Sequence, residues 1–317
     1  LPAHSPSVTL ESPSDKETSM NGTPPDEDAL PRADRVDVAG ADPWYLPSSR
    51  EEAILGAIRR DGAGLEIGPS HRPLAPKRAG FDVHVLDHAS AEELRAKYAG
   101  HGVDLSAIEE VDFVWRGEPL TAVVGSEACY DWIIASHVIE HVPDFAGFLV
   151  ECEKLLRPSG VLALVVPDKR YCFDAYQSLT STGEILDAHD RRESRPSPGR
   201  IFDHIANAAW LDPGGAIAWD RQTRSGLALV HGFDEAKNAW MQARTSSSYV
   251  DVHCWRFTPS RFLLVLHDLR ACGLIRLGMA APPTWNGCEF YAVLRADADA
   301  QPVDRRELLE RCRREMR

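Results

Sequence analysis

The stretch Gly64-Leu65-Glu66-Ile67-Gly68-Pro69-Ser70 decides how this chain reads. A short apolar run closing on a glycine is the mark of a buried strand that must turn sharply at its end. Glycine permits both the turn and the close approach of a ligand to the backbone, because it has no Cβ. Twenty-one residues after Glu66 stands Asp87, at the end of a second run, Phe81 to Asp87. A carboxylate there can accept hydrogen bonds from both hydroxyls of a ribose. A tight turn and a helix-capping aspartate would each arise without a ligand; the pair at two strand ends is more informative than either.

Working outward, further apolar runs at 111–115, 130–136 and 160–166 read as third, fourth and fifth strands. A helix is expected over Ala91 to Tyr98. Phe145, Phe148, Leu149, Cys152, Leu155 and Leu156 recur at helical spacing, with Pro158 and Gly160 as the stop. Ser48, three residues before Glu51, reads as a capping box opening a helix through Ile54, Ile58 and Arg59. Thr258-Pro259 caps another, with Phe262, Leu266 and Leu269 on one face and Gly273 as its end. Strands at 274–280 and 288–295 complete the set, and an arginine-rich helix from about Val303 reads as a solvated face or tail. The fold class is therefore α/β: a Rossmann-like, seven-stranded sheet with helices on both faces and a mainly helical insertion after the fifth strand. The expected division is a disordered acidic tail at 1–43, a core at 44–171, an insertion or lid at 172–252, a C-terminal completion of the core at 253–298 and a charged helix at 299–317.

Composition narrows the function. The chain has 317 residues, 44% hydrophobic and 26% charged, enough for a full core without staples. Its net charge of −13 disfavours a nucleic-acid partner, and no apolar run is long enough for a membrane span. The acidic stretch 1–43 carries nine acidic against three basic residues. Seven scattered cysteines without a C-x-x-C pair, and first residues without the basic start or apolar run of a secretory signal, point to reduced thiols and a cytoplasmic location. An oligomer is compatible with all of this.

A nicotinamide dehydrogenase would use the same two positions, Gly68 and Asp87. Its pyrophosphate, however, needs G-x-G-x-x-G, whereas Ser70, His71, Arg72 and Pro73 follow Gly68 and Pro76 shortens any helix. A nucleotide-like ligand without phosphates fits better.

The segments Glu66 to Leu74, YDWIIASHVIEHVPD (130–144) and LLRPSGVLALVVPDKRY (155–171) resemble the strand motifs of class I S-adenosylmethionine-dependent methyltransferases. Within that family they resemble a subgroup with LEIGP and SHVxEHVPD motifs, often associated with glycan or natural-product biosynthesis. Ser70 and Arg72 stand where many members have glycines. The resemblance implies S-adenosyl-L-methionine as cofactor, contacted by Glu66, Gly68, Pro69, Ser70, Asp87, Ser136 and His137. The adenine would lie near Phe113 or Val114, and Ser136 and His137 would face the sulfonium.

The acceptor side is read from residues on the same rim. His137 or Asp168 is the expected catalytic proton acceptor, while Lys169, Arg170, Tyr171, His204 and His253 are expected to contact the acceptor. His189, Arg191, Arg192, Tyr176, Trp210 and Trp255 are weaker contributors to the same pocket. No metal site is expected: His137 and His141 flank Glu140, but the segment leaves a strand and meets Pro143 instead of presenting both imidazoles from a helix. The function read from this is methyl transfer to a hydroxyl of a small-molecule or sugar acceptor. N-methylation of an amino sugar or amine, and a non-catalytic cofactor-binding partner protein, stay open.

Overall fold

A computed structural model describes residues 45–223, 225–296, 298 and 303–317. The acidic segment 1–43 lies outside them.

In chain order the elements are β1 (Leu46–Pro47), α1 (Arg50–Leu55), β2 (Gly64–Ile67), β3 (Val83–Asp87), α2 (Ala91–Tyr98), β4 (Phe113–Val114), α3 (Leu120–Val124), β5 (Tyr130–Ser136), α4 (Phe145–Leu155) and β6 (Leu156–Pro167). There follow α5 (Thr182–Asp190), α6 (Pro198–Asn207), β7 (Ala209–Asp212), β8 (Gly226–Leu229), α7 (Phe233–Ala243), α8 (Pro259–Ala271), β9 (Gly278–Met279), β10 (Thr284–Asn286), β11 (Glu289–Arg295) and α9 (Arg305–Glu315). The main sheet runs β1-β10-β11-β6-β5-β2-β3-β4, with β9 also beside β11. Strands β4, β3, β2, β5 and β6 are parallel to their neighbours, and β11 returns antiparallel against β6.

This is the expected Rossmann-like α/β sheet, with nine strands instead of the expected seven and the differences at its far edge. The run 274–280 pairs only at Gly278 and Met279, and a separate β10 and β1 extend the edge. Pro282 and Pro283 lie between β9 and β10, and proline lacks the N–H a ladder needs. The capping box also sits one residue later than expected, at Ser49 with Glu52. Ser48 stays extended because its N–H is bonded to the Trp285 carbonyl at 3.1 Å.

Successive residues of the central strands alternate between two faces. Ile133, Ala135, Leu162, Leu164 and Val166 join Phe145 and Leu149 of α4 and Phe262 and Val265 of α8 in one core cluster. Ile185, Ala188, Ile201 and Ile205 of the insertion bury into that same cluster. Trp132, Ile134, Ala163 and Val165 point the other way, onto Ile54 of α1, Ala75 and Phe81. The second face is the thinner one. After β2 the connection to β3 holds only a 3-10 turn at Lys77–Ala79, in a segment broken by Pro69, Pro73 and Pro76.

Helix α9 corrects the expectation of a solvated tail. Leu308 and Cys312, one turn apart, pack with Leu264 of α8, and the Glu315 carboxylate accepts from the Ser260 N–H at 3.1 Å. All seven cysteines are free. Among the described residues no helix is long and apolar enough to cross a membrane.

Docking of α9 is testable. Leu308→Ala is expected to lower unfolding free energy by about 2–5 kcal/mol, the range for truncating a buried leucine, measured by denaturant titration; a loss near zero would mean the helix does not dock.

Candidate active site

The C-terminal ends of β2, β3, β5 and β6 form one rim, which the start of β11 joins because β11 is antiparallel: Glu289 pairs with Pro167. In an open α/β sheet this rim is where ligands bind.

At its centre, Gly68 adopts φ +66 and donates its N–H to the Leu86 carbonyl at 2.7 Å. A Cβ there would stand 2.8 Å from a Val138 methyl, so both conformation and space demand glycine. Pro69 continues the turn. Ser70 is also left-handed, φ +49, and its buried hydroxyl has no hydrogen-bond partner. Its N–H is bonded to Asp87 at 3.0 Å. Glu66, expected beside the cofactor, is 1% exposed and turns under the loop instead, accepting from the N–H groups of Leu74 at 2.6 Å and Ala75 at 3.0 Å. Burial pushes its carboxyl up to about 7 against the pull of those two donors.

Asp87 closes β3 and is 2% exposed. Besides the Ser70 N–H it holds the His88 N–H at 2.7 Å and His88 Nδ1 at 2.6 Å. A carboxylate offers about four lone-pair sites, so a ribose binding there through two hydroxyls must displace the His88 ring. That ring is 57% exposed, so water can take over its hydrogen bond when it is displaced.

Ser136 ends β5 opposite Val165, and His137 leaves the strand at φ +53. His137 Nε2 lies 2.8 Å from Glu289 Oε2, and Nδ1 lies 3.4 Å from Glu140 Oε1. Burial opposes charge on this ring, but the two carboxylates outweigh it and push its pKa up to about 9. The two carboxylates therefore favour the charged imidazolium over the neutral ring. Glu289 is itself saturated by Arg50, at 2.9 and 2.5 Å, and by the Tyr291 hydroxyl at 2.8 Å. Arg50, Glu289 and Tyr291 were not singled out from sequence; β11 reads only as an apolar strand. They line a cleft of about 560 Å³ with Arg72, Leu74 and Asn286. Of the two residues expected near the adenine, Val114 pairs with Asp87 at the rim end of β3, while the Phe113 ring packs edge-on to His84 beside a hollow of about 210 Å³ that also touches Gly64 and Asp82, at the opposite ends of the strands.

Asp168 is on the rim but fully buried, with both oxygens taken by guanidinium groups: Arg170 at 2.8 and 2.5 Å and Arg221 at 3.2 Å. Its geometry is that of an ion-pair anchor, not of a base. Arg221 stacks between Tyr171 and Trp285, 4.6 and 4.1 Å from the ring centres, which ties the insertion to the β10 edge. Lys169 is 1% exposed and turned inward onto the Ala175 carbonyl at 2.8 Å, away from any acceptor.

His204 and His253 do come together, their ring centres 5.8 Å apart, beside the buried Glu140 and Asp174 and the half-buried His141. His253 Nδ1 is 2.6 Å from Asp174, and His204 Nδ1 accepts the His253 N–H at 3.2 Å. Burial and the neighbouring His253 push His204 down to about 3, so it is neutral. The weaker candidates disperse: His189 pairs with Asp144 at 3.0 Å, Tyr176 is exposed, and Trp255 is buried with its indole N–H on the Val142 carbonyl at 2.6 Å.

A family model described as a methyltransferase domain matches residues 45–268. The chain belongs to that family. This methyltransferase is 31% identical to a ubiquinone biosynthesis O-methyltransferase of Methylocella silvestris over 112 residues, a stretch covering 34% of this chain and 39% of that protein. Among solved structures it is similar to the CcbJ methyltransferase of Streptomyces caelestis, at 12% identity, 78% and 96% coverage and a TM-score of 0.38. It is also similar to a protein assigned as a Zn-dependent alcohol dehydrogenase of Rhodobacter sphaeroides, at 13% identity, 78% and 90% coverage and a TM-score of 0.43. S-adenosylmethionine, the cofactor that the strand motifs imply, would bring a sulfonium with an already activated methyl group. The residues present suit it: the left-handed Gly68 and Ser70, the unsatisfied Ser70 hydroxyl and the Asp87 carboxylate need no phosphate partner.

Two substitutions separate the parts of this site. Asp87→Asn is expected to weaken S-adenosylhomocysteine binding at least tenfold by calorimetry, whereas His88→Ala is expected to leave it equal or tighter. Weakening by His88→Ala would show that the ring belongs to the binding site.

Proposed function

We propose that this enzyme transfers the methyl group to a hydroxyl of a small-molecule or sugar acceptor bound on the rim, with the 172–252 insertion as the lid over it. The observation that carries the reading is the placement of His137, with Nδ1 toward the buried Glu140 and Nε2 toward the rim. A carboxylate behind one ring nitrogen fixes the tautomer and supports the charge that arises when the other takes a proton. In the resting enzyme Glu289 holds Nε2. An acceptor hydroxyl entering at Nε2 replaces Glu289, which keeps Arg50 and Tyr291 as partners. With that support for its charge gone, the ring releases its Nε2 proton to solvent. The hydroxyl proton then passes to Nε2 as the oxygen attacks the methyl group. Alignment of oxygen, methyl and sulfur supplies the rest of the acceleration.

An amine acceptor is less well served. Its ammonium would need a carboxylate open to the rim; Asp87, Asp168 and Glu289 are each already filled by cations or N–H groups, and Glu140 is sealed from water behind His137. The O-methyltransferase similar over 112 residues is in keeping with a hydroxyl acceptor. Asp168 is proposed as the anchor of the Arg170–Arg221 pair, and His204 and His253 as support for the rim loop.

His137→Gln is expected to lower kcat for a hydroxyl acceptor by about 10²–10⁴-fold, the usual worth of a positioned acid–base group, with cofactor affinity unchanged. The assay is S-adenosylhomocysteine release over matched panels of hydroxyl and amine acceptors. Turnover confined to amines, or an unchanged rate in His137→Gln, would overturn the proposal.

A further inference from the structure

Beside the rim, segments far apart in the chain converge. Residues 249–255 lie along the loop that follows β5: the Cys254 N–H donates to the Glu140 carbonyl at 2.7 Å and the Tyr249 hydroxyl to the His141 carbonyl at 3.1 Å. This brings one oxygen of Glu140 and one ring nitrogen each of His141 and His253 within 4.8 Å of one another. The Glu140 side chain is 0% exposed, and neither of its oxygens forms a hydrogen bond. A buried carboxylate with unfilled lone pairs is strongly disfavoured unless a cation stands beside it. His137, 3.4 Å from Oε1, lies on one side of it.

The two imidazoles are prepared from behind. His141 Nδ1 pairs with Asp251 at 2.8 Å and His253 Nδ1 with Asp174 at 2.6 Å. A carboxylate on one ring nitrogen fixes the ring and leaves Nε2 as an electron-pair donor, the arrangement that orients histidine ligands in metal sites. We propose that Glu140, His141 and His253 bind a divalent transition-metal ion of the zinc type. Two imidazoles and one carboxylate form a zinc ligand set with a coordination position left over, whereas magnesium and calcium prefer all-oxygen sites. Donors about 2.1 Å from a tetrahedral ion stand roughly 3.4 Å apart, so the three side chains draw together on loading. The ion joins the 249–255 segment to the catalytic loop, and the second Glu140 oxygen remains for His137. The site does not depend on whether the acceptor is a hydroxyl.

The test uses the full chain, free of any affinity tag and stripped with chelator, titrated with Zn²⁺ or Co²⁺. Calorimetry is expected to show one ion per chain, and Co²⁺ to develop the intense visible bands of a four-coordinate site. Glu140→Gln, His141→Ala and His253→Ala are each expected to weaken binding at least 100-fold, and excess Mg²⁺ not to compete. Zn²⁺ should raise the wild-type melting temperature and not that of Glu140→Gln. His267→Ala, on the outside of α8, controls for surface histidines and should bind as wild type. No stoichiometric binding by the wild type, or undiminished binding by Glu140→Gln or His141→Ala, overturns the proposal; these two variants decide the matter if His253→Ala fails to fold.

Discussion

The rim of this enzyme is organised around one buried carboxylate. Glu140 follows β5 by four residues, is sealed from water and has no hydrogen bond of its own. Its charge has to be answered by the groups around it: His137 toward the rim on one side, His141 and His253 on the other. The Glu140 backbone carbonyl binds the other arm of the same junction, accepting from Cys254 and Trp255. Side chain and main chain of one residue thus join the sheet, the loop after β5 and the segment that closes the insertion.

The cofactor half obeys a different constraint, the close approach of two turns. Gly68 and Val138 leave neighbouring parallel strands and meet with no room for a Cβ. Ser70 and His137 both take left-handed backbone to make those turns, at a cost that non-glycine residues bear mainly at functional sites. This also accounts for Ser70 standing where many members of the family have glycine: the position needs positive φ, and here a hydroxyl accompanies it. Glu66 acts from beneath by gripping Leu74 and Ala75, so a loop without a crossover helix still has a defined shape.

Much of the fold was legible because buried parallel strands read as continuous apolar runs. Residues 130–136 form β5 as expected, 91–98 form α2, and Thr258 caps α8. Gly68 and Asp87 were legible through their spacing at strand ends. What was not legible depends on partners distant in sequence. Nothing near His137 announces Glu289, 152 residues away, and nothing near His253 announces Asp174. No helix presents His137 with His141, and His253, which stands beside His141 and Glu140, arrives from a distant segment. Asp168 and Lys169 sat on the expected rim, but tertiary packing turned one onto two arginines and the other into the interior. The arginines of α9 hid Leu308 and Cys312, whose spacing is the real signal for docking.

The most direct measurement is a crystal structure of the enzyme with S-adenosylhomocysteine. Ribose hydroxyls are expected on Asp87, with the His88 ring displaced and the sulfur facing the rim with open space between it and His137 Nε2. Sulfur directed toward Phe113, or separated from His137 by the Gly68 turn, would contradict that placement.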